Sequence, residues 1–311
     1  MIENRQYRSL GISGIKVSPL GIGTNQWEQG KNDGAVFQLV QFCLDTGLNF
    51  FDSAEAYRGG KSERLLGASV ERDRRPVVIA SKIAPAPTRL SRRDFLSRRD
   101  FMNALDASLS RLGVEAIDLY YIHWPFIFVS IEALMDMMAQ AVEAGKVRAV
   151  GVSNFNARQM RRAAARLARY NLPLAANQVR YSLLHRQPEV DGVLDACQEL
   201  DVALVAYRPL ERGLLKSHNN AGTSIGSPFW TREKLKQEVV IRQTLHAIAH
   251  KRGKSISQVA LNWLLRRDKH VIPIPGVTSV YHAQENADTL TWELDDEEFA
   301  AIDQASSPLK H

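Results

Sequence analysis

The chain has 311 residues, of which 45% are hydrophobic and 24% charged, and its formal net charge at pH 7 is +6. These fractions are typical of a globular protein and exclude a disordered or fibrous chain. No apolar run approaches the length of a membrane span, and residues 1–5 lack the apolar core of a signal peptide, so we expect a cytoplasmic protein. The two cysteines, Cys43 and Cys197, show no metal-type spacing, and we expect both to be reduced, partly buried core residues.

Short apolar runs alternate with amphipathic segments along nearly the whole chain. The apolar runs predict strands at residues 17–23, 48–51, 77–80, 117–122, 147–152, 174–179, 202–207 and 271–275. The amphipathic segments predict helices near residues 33–46, 62–70, 100–112, 131–144, 156–170, 189–199, 238–266 and 279–290. Strands and helices that alternate in this way pair in parallel through right-handed crossovers. The sequence therefore predicts an α/β fold, one (β/α)8 TIM barrel domain over residues 1–311 with long rim loops.

Residues that favour helix ends stand at several of these boundaries. Glycines are expected just after helices and small polar residues just before them. The predicted C-terminal glycines are Gly47, Gly113 and Gly145, and the predicted N-caps are Ser62, Ser130 and Asn156.

Two arginine-rich stretches carry much of the positive charge. The five arginines between residues 158 and 169 share one helical face, which is typical of a solvated face. The second stretch is a duplication, in which Leu90 to Phe95 is repeated as Leu96 to Phe101. One copy suffices to begin the next helix, so we interpret the other as an extension of the preceding loop. No aromatic and basic residues interleave there, and we expect no nucleic-acid partner.

Three phosphate or metal motifs are incomplete. Gly60-Lys61-Ser62 ends like a P-loop, but Glu55 stands where the first glycine is required. Gly21-Ile22-Gly23 begins like a dinucleotide fingerprint, but Gln26 occupies the third glycine position. The histidines form no compact ligand cluster, so we expect no metal site.

Four chemically active side chains lie at the ends of consecutive predicted strands. Asp52 and Lys82 follow the second and third strands, His123 follows the fourth, and Tyr57 comes five residues after Asp52. In a closed parallel barrel these positions meet at one rim. A cation beside Tyr57 favours the phenolate, Asp52 can hold the ammonium of Lys82, and His123 can donate to a carbonyl oxygen. Alone, such an Asp can be a helix cap, and such a Tyr or His a core residue; together they predict a catalytic site for proton transfer to a carbonyl.

The same segments resemble the aldo-keto reductase superfamily, in particular its bacterial and potassium-channel-β-like branches. The resemblance lies in Asp52-Ser-Ala-Glu-Ala-Tyr57, Ser81-Lys82 and Leu119-Tyr-Tyr-Ile-His123. It extends from Tyr7 to Thr24, which is similar to the family's opening β-hairpin and first strand, through to Glu285-Asn286. It implies interconversion of an aldehyde or ketone and its alcohol by hydride transfer, with Asp52, Tyr57, Lys82 and His123 as the catalytic residues.

The resemblance also implies a nicotinamide cofactor extended across the barrel mouth. Ser153, Asn154 and Gln178 are then expected at the carboxamide, Tyr207 on the nicotinamide ring, and the backbone amides near residues 210–214 at the pyrophosphate. The matching positions in this chain are Gly23, Thr24, Asp52, Ser153, Asn154, Gln178, Tyr207, Arg208, Pro209, Leu210, Arg212, Gly213, Leu214, Gly276, Thr278, His282, Glu285 and Asn286.

Two positions depart from the family pattern and bear on the choice of cofactor. Arg208 stands where many relatives have Ser or Asn, which adds positive charge near the pyrophosphate. Thr278 stands where many relatives have a Lys or Arg that pairs with the 2′-phosphate of NADP. We therefore expect NADP(H) to be favoured by a modest margin and NAD(H) to be usable.

Substrate choice depends on the rim loops. Trp27, Trp124, Phe126 and Phe128 are candidates for an apolar substrate pocket, as are Phe229 and Trp230, although some of them could simply pack under loops. Residues 211–236 are long enough to form a flap over the cofactor. The alternative to a reductase is a cofactor-binding regulatory subunit with little turnover, since the channel-β-like branch includes such barrels.

Overall fold

A ring of eight parallel strands forms the centre of the computed structural model, which describes residues 7–27, 33–71, 73, 75–84, 97–126, 128–215 and 232–310. The ring strands are β3 (Ile22–Gly23), β4 (Phe50–Asp52), β5 (Val78–Ile83), β6 (Ile117–Ile122), β7 (Val147–Ser153), β8 (Leu174–Arg180), β9 (Ala203–Tyr207) and β10 (Val271–Ile274). Neighbours in sequence are neighbours in the sheet. The ring closes where the amide of Gly21 donates to the carbonyl of Pro273 at 2.9 Å and the amide of Gly23 to that of Pro275 at 2.9 Å. The predicted (β/α)8 barrel is confirmed.

An antiparallel hairpin, β1 (Arg8–Ser9) and β2 (Lys16–Val17), covers the end of the barrel where the strands begin. Leu10 and Val17 of this hairpin pack in one cluster with the side chains inside the ring. The single strand predicted over residues 17–23 is wrong, because it is divided between β2 and β3. Pro19 has no N–H for a sheet, and the amide of Ser18 instead donates to Oδ1 of Asn49 at 2.8 Å.

Helices surround the ring in the predicted alternation. They are α1 (Asp33–Asp45), α2 (Lys61–Val70), α3 (Arg98–Leu112), α4 (Ile131–Glu143), α5 (Ala157–Ala168), α6 (Val193–Glu199), α7 (Arg232–Arg252), α8 (Ile256–Arg267), α9 (Val280–Thr289) and α10 (Asp296–Ser306). The helix predicted over residues 238–266 is two helices. Gly253, at φ 61°, interrupts it, and Ser255 begins α8 in a capping box with Gln258.

Other boundaries differ locally from the sequence prediction. Helix α6 begins at Val193 rather than near residue 189, because Gly192 adopts a left-handed conformation before it. The final helix, α10, was not predicted. Helix α2 begins at Lys61, so Ser62 is no N-cap but a buried residue whose hydroxyl contacts those of Thr24 and Ser53.

The remaining predicted caps are confirmed. Ser130 and Asn156 accept backbone N–H groups at the starts of α4 and α5, and the three predicted C-terminal glycines all have positive φ. Ser97, from the second copy of the duplicated segment, caps α3. Residues 90–96, which include the first copy, lie outside the described residues.

The arginine-rich face of α5 pairs with acidic side chains of neighbouring helices. Arg161, Arg162 and Arg166 form ion pairs of 2.6–2.8 Å with Glu199, Glu132 and Asp136, respectively. Exposed pairs of this kind contribute little stability. The face is therefore a solvated one, as predicted.

Two hydrophobic layers hold the barrel together. A smaller cluster, including Phe50, Leu119 and Ile272, fills the ring, and a larger one lies between the ring and the helices. Cys43 and Cys197 are buried free thiols of this outer layer. Within the described ranges, no helix is long and apolar enough to cross a membrane.

We expect Gly67→Ala to lower the free energy of unfolding by about 1–2 kcal/mol through overpacking. Gly67 lies in α2 against the end of α3, and a Cβ there would lie 2.3 Å from the carbonyl oxygen of Leu112. This loss is expected even though alanine favours a helix by about 1 kcal/mol. Urea denaturation measures the change. Ala68, the exposed neighbour of Gly67, provides the matched control, because Ala68→Gly changes only the helix propensity. A Gly67→Ala protein as stable as the parent would contradict the close approach of α2 to Leu112.

Candidate active site

The four predicted catalytic residues meet at the rim where the strands end. Asp52 is the last residue of β4, and His123 directly follows β6. Lys82 lies inside β5, one residue before its end, rather than after the strand as the sequence suggested. Tyr57 opens a short turn, Tyr57–Gly60, that leads into α2. The structure therefore brings all four side chains together.

Lys82 is fully buried and uses its whole hydrogen-bonding capacity within this group. Its Nζ donates to Oδ1 of Asp52 at 2.6 Å, to the carbonyl of Ser53 at 2.7 Å and to the hydroxyl of Tyr57 at 3.1 Å. An ammonium has three N–H donors and no acceptor. The proton of the Tyr57 hydroxyl therefore points away from Lys82.

Asp52 is held from two sides. Its Oδ1 accepts from Lys82, and its Oδ2 accepts from Nε2 of Gln178 at 2.6 Å. Gln178 comes from β8, on the far side of the ring. The carboxylate position thus depends on strands that are distant in sequence.

Burial and charge act in opposite directions on this pair. Burial raises the pKa of Tyr57, and the nearby Lys82 ammonium offsets this only in part, so the net shift is upward. Burial is also the largest single influence on Lys82 and opposes its charged form, but Asp52 and Tyr57 together outweigh it, so the pKa of Lys82 is raised. The expectation that Lys82 lowers the pKa of Tyr57 below its ordinary value is therefore corrected. Tyr57 is a protonated phenol at neutral pH beside a permanent cation.

His123 is a neutral imidazole. Burial, together with the charge of Lys82, lowers the pKa of His123 to about 3. Its ring lies edge-on to that of Tyr57, with 6.2 Å between the centroids and an angle of 81°. Among the described residues its Nδ1 is buried without a hydrogen-bond partner. The ring can therefore present one N–H or one lone pair to a ligand beside Tyr57.

A cavity of about 800 Å³ opens over this group at the carboxyl ends of the strands. Its lining combines polar groups at strand ends, arginines from the turns after β4 and β9, and the end of β10 with the two residues that follow it. It is lined by Gly23, Thr24, Asn25, Gln26, Asp52, Tyr57, Arg58, His123, Trp124, Ser153, Asn154, Gln178, Tyr207, Arg208, Pro209, Leu210, Arg212, Gly213, Ile274, Pro275 and Gly276.

The polar groups at the ends of β7, β8 and β9 form one hydrogen-bonded arc. The hydroxyl of Tyr207 donates to Oδ1 of Asn154 at 3.0 Å, and Nδ2 of Asn154 donates to the carbonyl of His123 at 3.1 Å. Oγ of Ser153 donates to the carbonyl of Gln178 at 2.9 Å. These groups therefore present amides, a hydroxyl and an aromatic ring along one side of the cavity.

The turn after β9 places two guanidinium groups on the cavity wall. Glu211 is buried under this turn and accepts from Nε of Arg180 at 3.0 Å and from Oγ of Ser182 at 2.9 Å. Arg208 and Arg212, which are exposed, adopt φ angles of 53° and 56°. The amides of Gly213 and Leu214 donate inside the turn, to the carbonyls of Leu210 and Glu211, and the expected amide contacts to a pyrophosphate stay a prediction.

Five residues predicted at the cofactor do not line the cavity. They are Leu214, Thr278, His282, Glu285 and Asn286. Leu214 packs against the core, and Asn286 is buried. Oγ1 of Thr278 and Nδ1 of His282 lie 3.1 Å apart at the start of α9, beyond Gly276. The cavity ends before this segment, so their cofactor role stays a prediction.

Of the four residues predicted for an apolar substrate pocket, the structure brings one to the cavity, and the pocket itself stays a prediction. Trp27 is fully buried, donates to the carbonyl of Val277 at 2.8 Å and packs edge-on to Phe51, so it is a core residue. Phe126 is buried and Phe128 exposed, and neither lines the cavity. Trp124, 48% exposed, does line it. Residues 216–231 of the predicted flap, with Phe229 and Trp230, lie outside the described residues.

Sequence reasoning missed five residues of the cavity lining. They are Asn25, Gln26, Arg58, Ile274 and Pro275. The sequence around Arg58 could have indicated that it lines the site, because Arg58 follows the proposed proton donor Tyr57 and precedes two glycines. For Asn25 and Gln26, the sequence offered no such indication beyond their position after the first ring strand.

The family is settled by comparison with known proteins. The model of the Aldo/keto reductase family matches residues 19–307. The chain belongs to this family. It is 32% identical to the chloroplastic pyridoxal reductase of Arabidopsis thaliana, over 96% of this chain and 86% of that protein. It is 34% identical to an uncharacterized oxidoreductase of Mycobacterium tuberculosis, over 96% of this chain and 92% of that protein.

Solved structures of the family share the fold. The thermostable aldo-keto reductase Tm1743, in complex with the inhibitor epalrestat, is 31% identical with a TM-score of 0.80, covering 96% of this chain and 99% of that one. An aldo/keto reductase from Klebsiella pneumoniae, in complex with NADP and acetate, is 27% identical with a TM-score of 0.75, covering 96% and 95%. The chain is accordingly an NAD(P)-dependent oxidoreductase of small carbonyl substrates.

Proposed function

We propose that this reductase interconverts an aldehyde or ketone and its alcohol with Tyr57 as the general acid or base, and with NADP(H) as the favoured cofactor. The observation that carries the proposal is the set of three hydrogen bonds from Lys82, which fixes a cation 3.1 Å from the Tyr57 hydroxyl oxygen. A phenol held in this way can give up its proton because the resulting phenolate lies beside a fixed charge.

The lining of the cavity fits a nicotinamide dinucleotide. The amides of Asn154 and Gln178 and the hydroxyl of Ser153 suit a carboxamide, and the Tyr207 ring offers a stacking surface. Arg208 and Arg212 suit a pyrophosphate, because guanidinium groups pair well with phosphate oxygens. When bound, such a cofactor supplies the hydride. Proton transfer and the orientation of the carbonyl are carried out by side chains of this chain.

In the reducing direction, Tyr57 transfers its hydroxyl proton to the carbonyl oxygen as that oxygen gains negative charge. Its upward-shifted pKa keeps the donor protonated before the reaction, and Lys82 stabilises the phenolate left behind. His123, which is neutral, donates an N–H to the same oxygen and orients it. In the oxidising direction, the phenolate accepts the proton of the alcohol.

The general test is the loss of absorbance of reduced nicotinamide with a panel of aldehydes and ketones, with NADPH and NADH in parallel. Pyridoxal belongs in the panel, because a relative 32% identical to this chain is a pyridoxal reductase. Repeated turnover supports the proposal, and cofactor binding with no turnover on any carbonyl supports the regulatory-subunit alternative instead.

Tyr57→Phe is expected to lower turnover by about 10²- to 10⁴-fold, because it removes the proton donor and leaves the ring in place. The dissociation constant of NADPH, measured by fluorescence, should stay close to that of the parent. Tyr170→Phe is the matched control, since Tyr170 bonds Asp136 on a distant helix face. Most of the activity remaining in Tyr57→Phe contradicts the mechanism.

Lys82→Met is expected to lower turnover at least about 100-fold and to flatten the pH profile of alcohol oxidation. Oxidation needs the phenolate. Without the cation, burial and the Asp52 carboxylate both raise the pKa of Tyr57, so the rise in rate moves to higher pH and the profile is flat at lower pH. Lys146→Met, which removes a surface lysine paired with Asp106, is the control. If Lys82→Met keeps substantial activity and an unchanged pH profile, the proton is transferred by a group other than Tyr57.

Thr278→Arg is expected to tighten NADPH binding by about tenfold, on the order of 1.4 kcal/mol, and to change NADH binding little. Thr278 can offer a 2′-phosphate a hydrogen bond, whereas arginine adds a charge-assisted pair. Both dissociation constants are measured by fluorescence. Thr291→Arg is the control, because it adds the same charge at another exposed position and should change neither dissociation constant. Equal effects of Thr278→Arg on NADPH and NADH would mean that residue 278 does not contact the 2′-phosphate.

A further inference from the structure

The turn after β9 concentrates backbone strain at the cavity wall. Arg208, Glu211 and Arg212 have φ angles of 53°, 44° and 56°, in the left-handed region that costs a non-glycine residue free energy. Among the described residues, no other stretch of five holds three such residues. Strained residues persist only where their surroundings hold them. The contacts that hold this turn therefore decide whether its two arginines stay on the cavity wall.

The carboxylate of Glu211 attaches this turn to the end of β8. Its Oε1 accepts from Nε of Arg180 at 3.0 Å and from Oγ of Ser182 at 2.9 Å, and its Oε2 accepts from Nη2 of Arg180. A guanidinium that bonds both oxygens of a carboxylate makes a strong pair of defined geometry. The side chain of Glu211 is only 4% exposed, and that of Arg180 is 35% exposed. The carboxylate is therefore buried, and residues at and just beyond the end of β8 supply its hydrogen bonds.

The pair of Arg180 and Glu211 lies beneath the cavity wall rather than in it. Leu210 and Arg212, the two sequence neighbours of Glu211, line the cavity, whereas Glu211 and Arg180 do not. Arg180 is the last residue of β8 and lies in register with Tyr207, the last residue of β9. Any effect of the pair on a bound ligand must therefore pass through the turn.

Other contacts hold the chain after the turn. Nη1 of Arg242 donates to the carbonyl of Leu214 at 3.1 Å, and Oγ of Ser257 donates to the carbonyl of Leu215 at 3.3 Å. Within residues 208–212, the hydrogen bonds from described side chains are those that Glu211 receives from β8 and its following loop. The pair is therefore the main side-chain anchor of the strained part of the turn.

We propose that Arg180 and Glu211 are positioning residues for the cofactor, because their pair holds the turn in the conformation that presents Arg208 and Arg212 to its pyrophosphate. This inference rests on the proposed function, which places the pyrophosphate at those two arginines. A protein whose binding conformation is only partly populated binds its ligand more weakly by that fraction. The pair thus contributes to cofactor affinity without contacting the cofactor.

The test measures the dissociation constant of NADPH by fluorescence, with no carbonyl present, in the parent and in three variants. Arg180→Met removes the pair, and Arg180→Lys keeps the charge but loses the two-bond geometry. Glu211→Asn suits a left-handed backbone but is one methylene too short to replace the pair. Arg166→Met is the matched control, because Arg166 bonds both oxygens of Asp136, which also accepts a hydroxyl, from Tyr170, on a distant helix face.

We expect Arg180→Met and Glu211→Asn to raise the dissociation constant of NADPH about tenfold, which corresponds to a turn in its binding conformation about one tenth of the time. Arg180→Lys should give an intermediate value, and Arg166→Met the value of the parent. Urea denaturation shows whether each variant is folded under the conditions of the titration. If Arg180→Met does not fold, Arg180→Lys and Glu211→Asn still decide the result.

A second background shows whether the pair acts through the two arginines. Arg180→Met is also made in a protein that carries Arg208→Asn and Arg212→Asn, since asparagine tolerates the left-handed backbone at both positions. If the pair acts by presenting these arginines, Arg180→Met should change the dissociation constant there by less than about twofold, because the effects are not additive. A general structural effect of Arg180→Met would be equally large in both backgrounds.

Parent-like NADPH binding in Arg180→Met and Glu211→Asn, or an equal effect of Arg180→Met in both backgrounds, overturns the inference and leaves the proposed function intact. If the protein with Arg208→Asn and Arg212→Asn binds NADPH as the parent does, the pyrophosphate does not lie at these arginines, and the inference fails together with that part of the proposed function. A parent that shows the expected binding effects but reduces no carbonyl overturns the proposed reaction and supports the inference, because the titrations need no carbonyl.

Discussion

The buried ion pair of Lys82 and Asp52 is the constraint on which the rest of the site depends. A charge with no access to water is tolerated only when its donors and acceptors are satisfied, and removing one partner of such a pair costs several kcal/mol, about 3–5. Here the ammonium has three partners, and the carboxylate is completed by Gln178 from β8. Lys82 and Asp52 lie on neighbouring strands, but the carboxylate gains its second partner only when β8 faces β4 across the closed ring, which ties the site to the fold.

The same pair explains why the site can work as an acid at neutral pH. Burial keeps Tyr57 protonated, and the cation at 3.1 Å lowers the cost of ionising it during the reaction. His123, with its pKa lowered to about 3, stays neutral beside that cation and adds no second charge. In the proposed mechanism the positive charge thus lies on Lys82, which is fully buried and does not line the cavity.

The fold and the four central residues could be predicted from sequence because their signals are local. Short apolar runs mark the strands, and strand ends in a parallel barrel share one rim. Trp27 could not be placed, because its burial depends on the carbonyl of Val277, which is 250 residues away in sequence. The sequence predicts α7 and α8 as one helix because apolar periodicity continues across Gly253. The glycine and the capping box at Ser255 are local signals of the break between them. Arg58 follows Tyr57 and precedes two glycines, but the sequence did not show that this turn brings it to the cavity lining.

Backbone strain among the described residues is concentrated around the cavity. Of the seven non-glycine residues with positive φ, four line the cavity, namely Arg58, Asn154, Arg208 and Arg212, and Glu211 lies buried beneath one of its turns. Strained residues persist only where the surroundings determine their conformation. Here the surroundings are rigid: Glu211 is bonded to Arg180 and Ser182, and the turn at Arg58 packs on Arg111. The turns therefore fix the backbone from which the side chains of Arg58, Arg208 and Arg212 extend. The strain in these turns therefore trades some stability for a fixed backbone around the cavity.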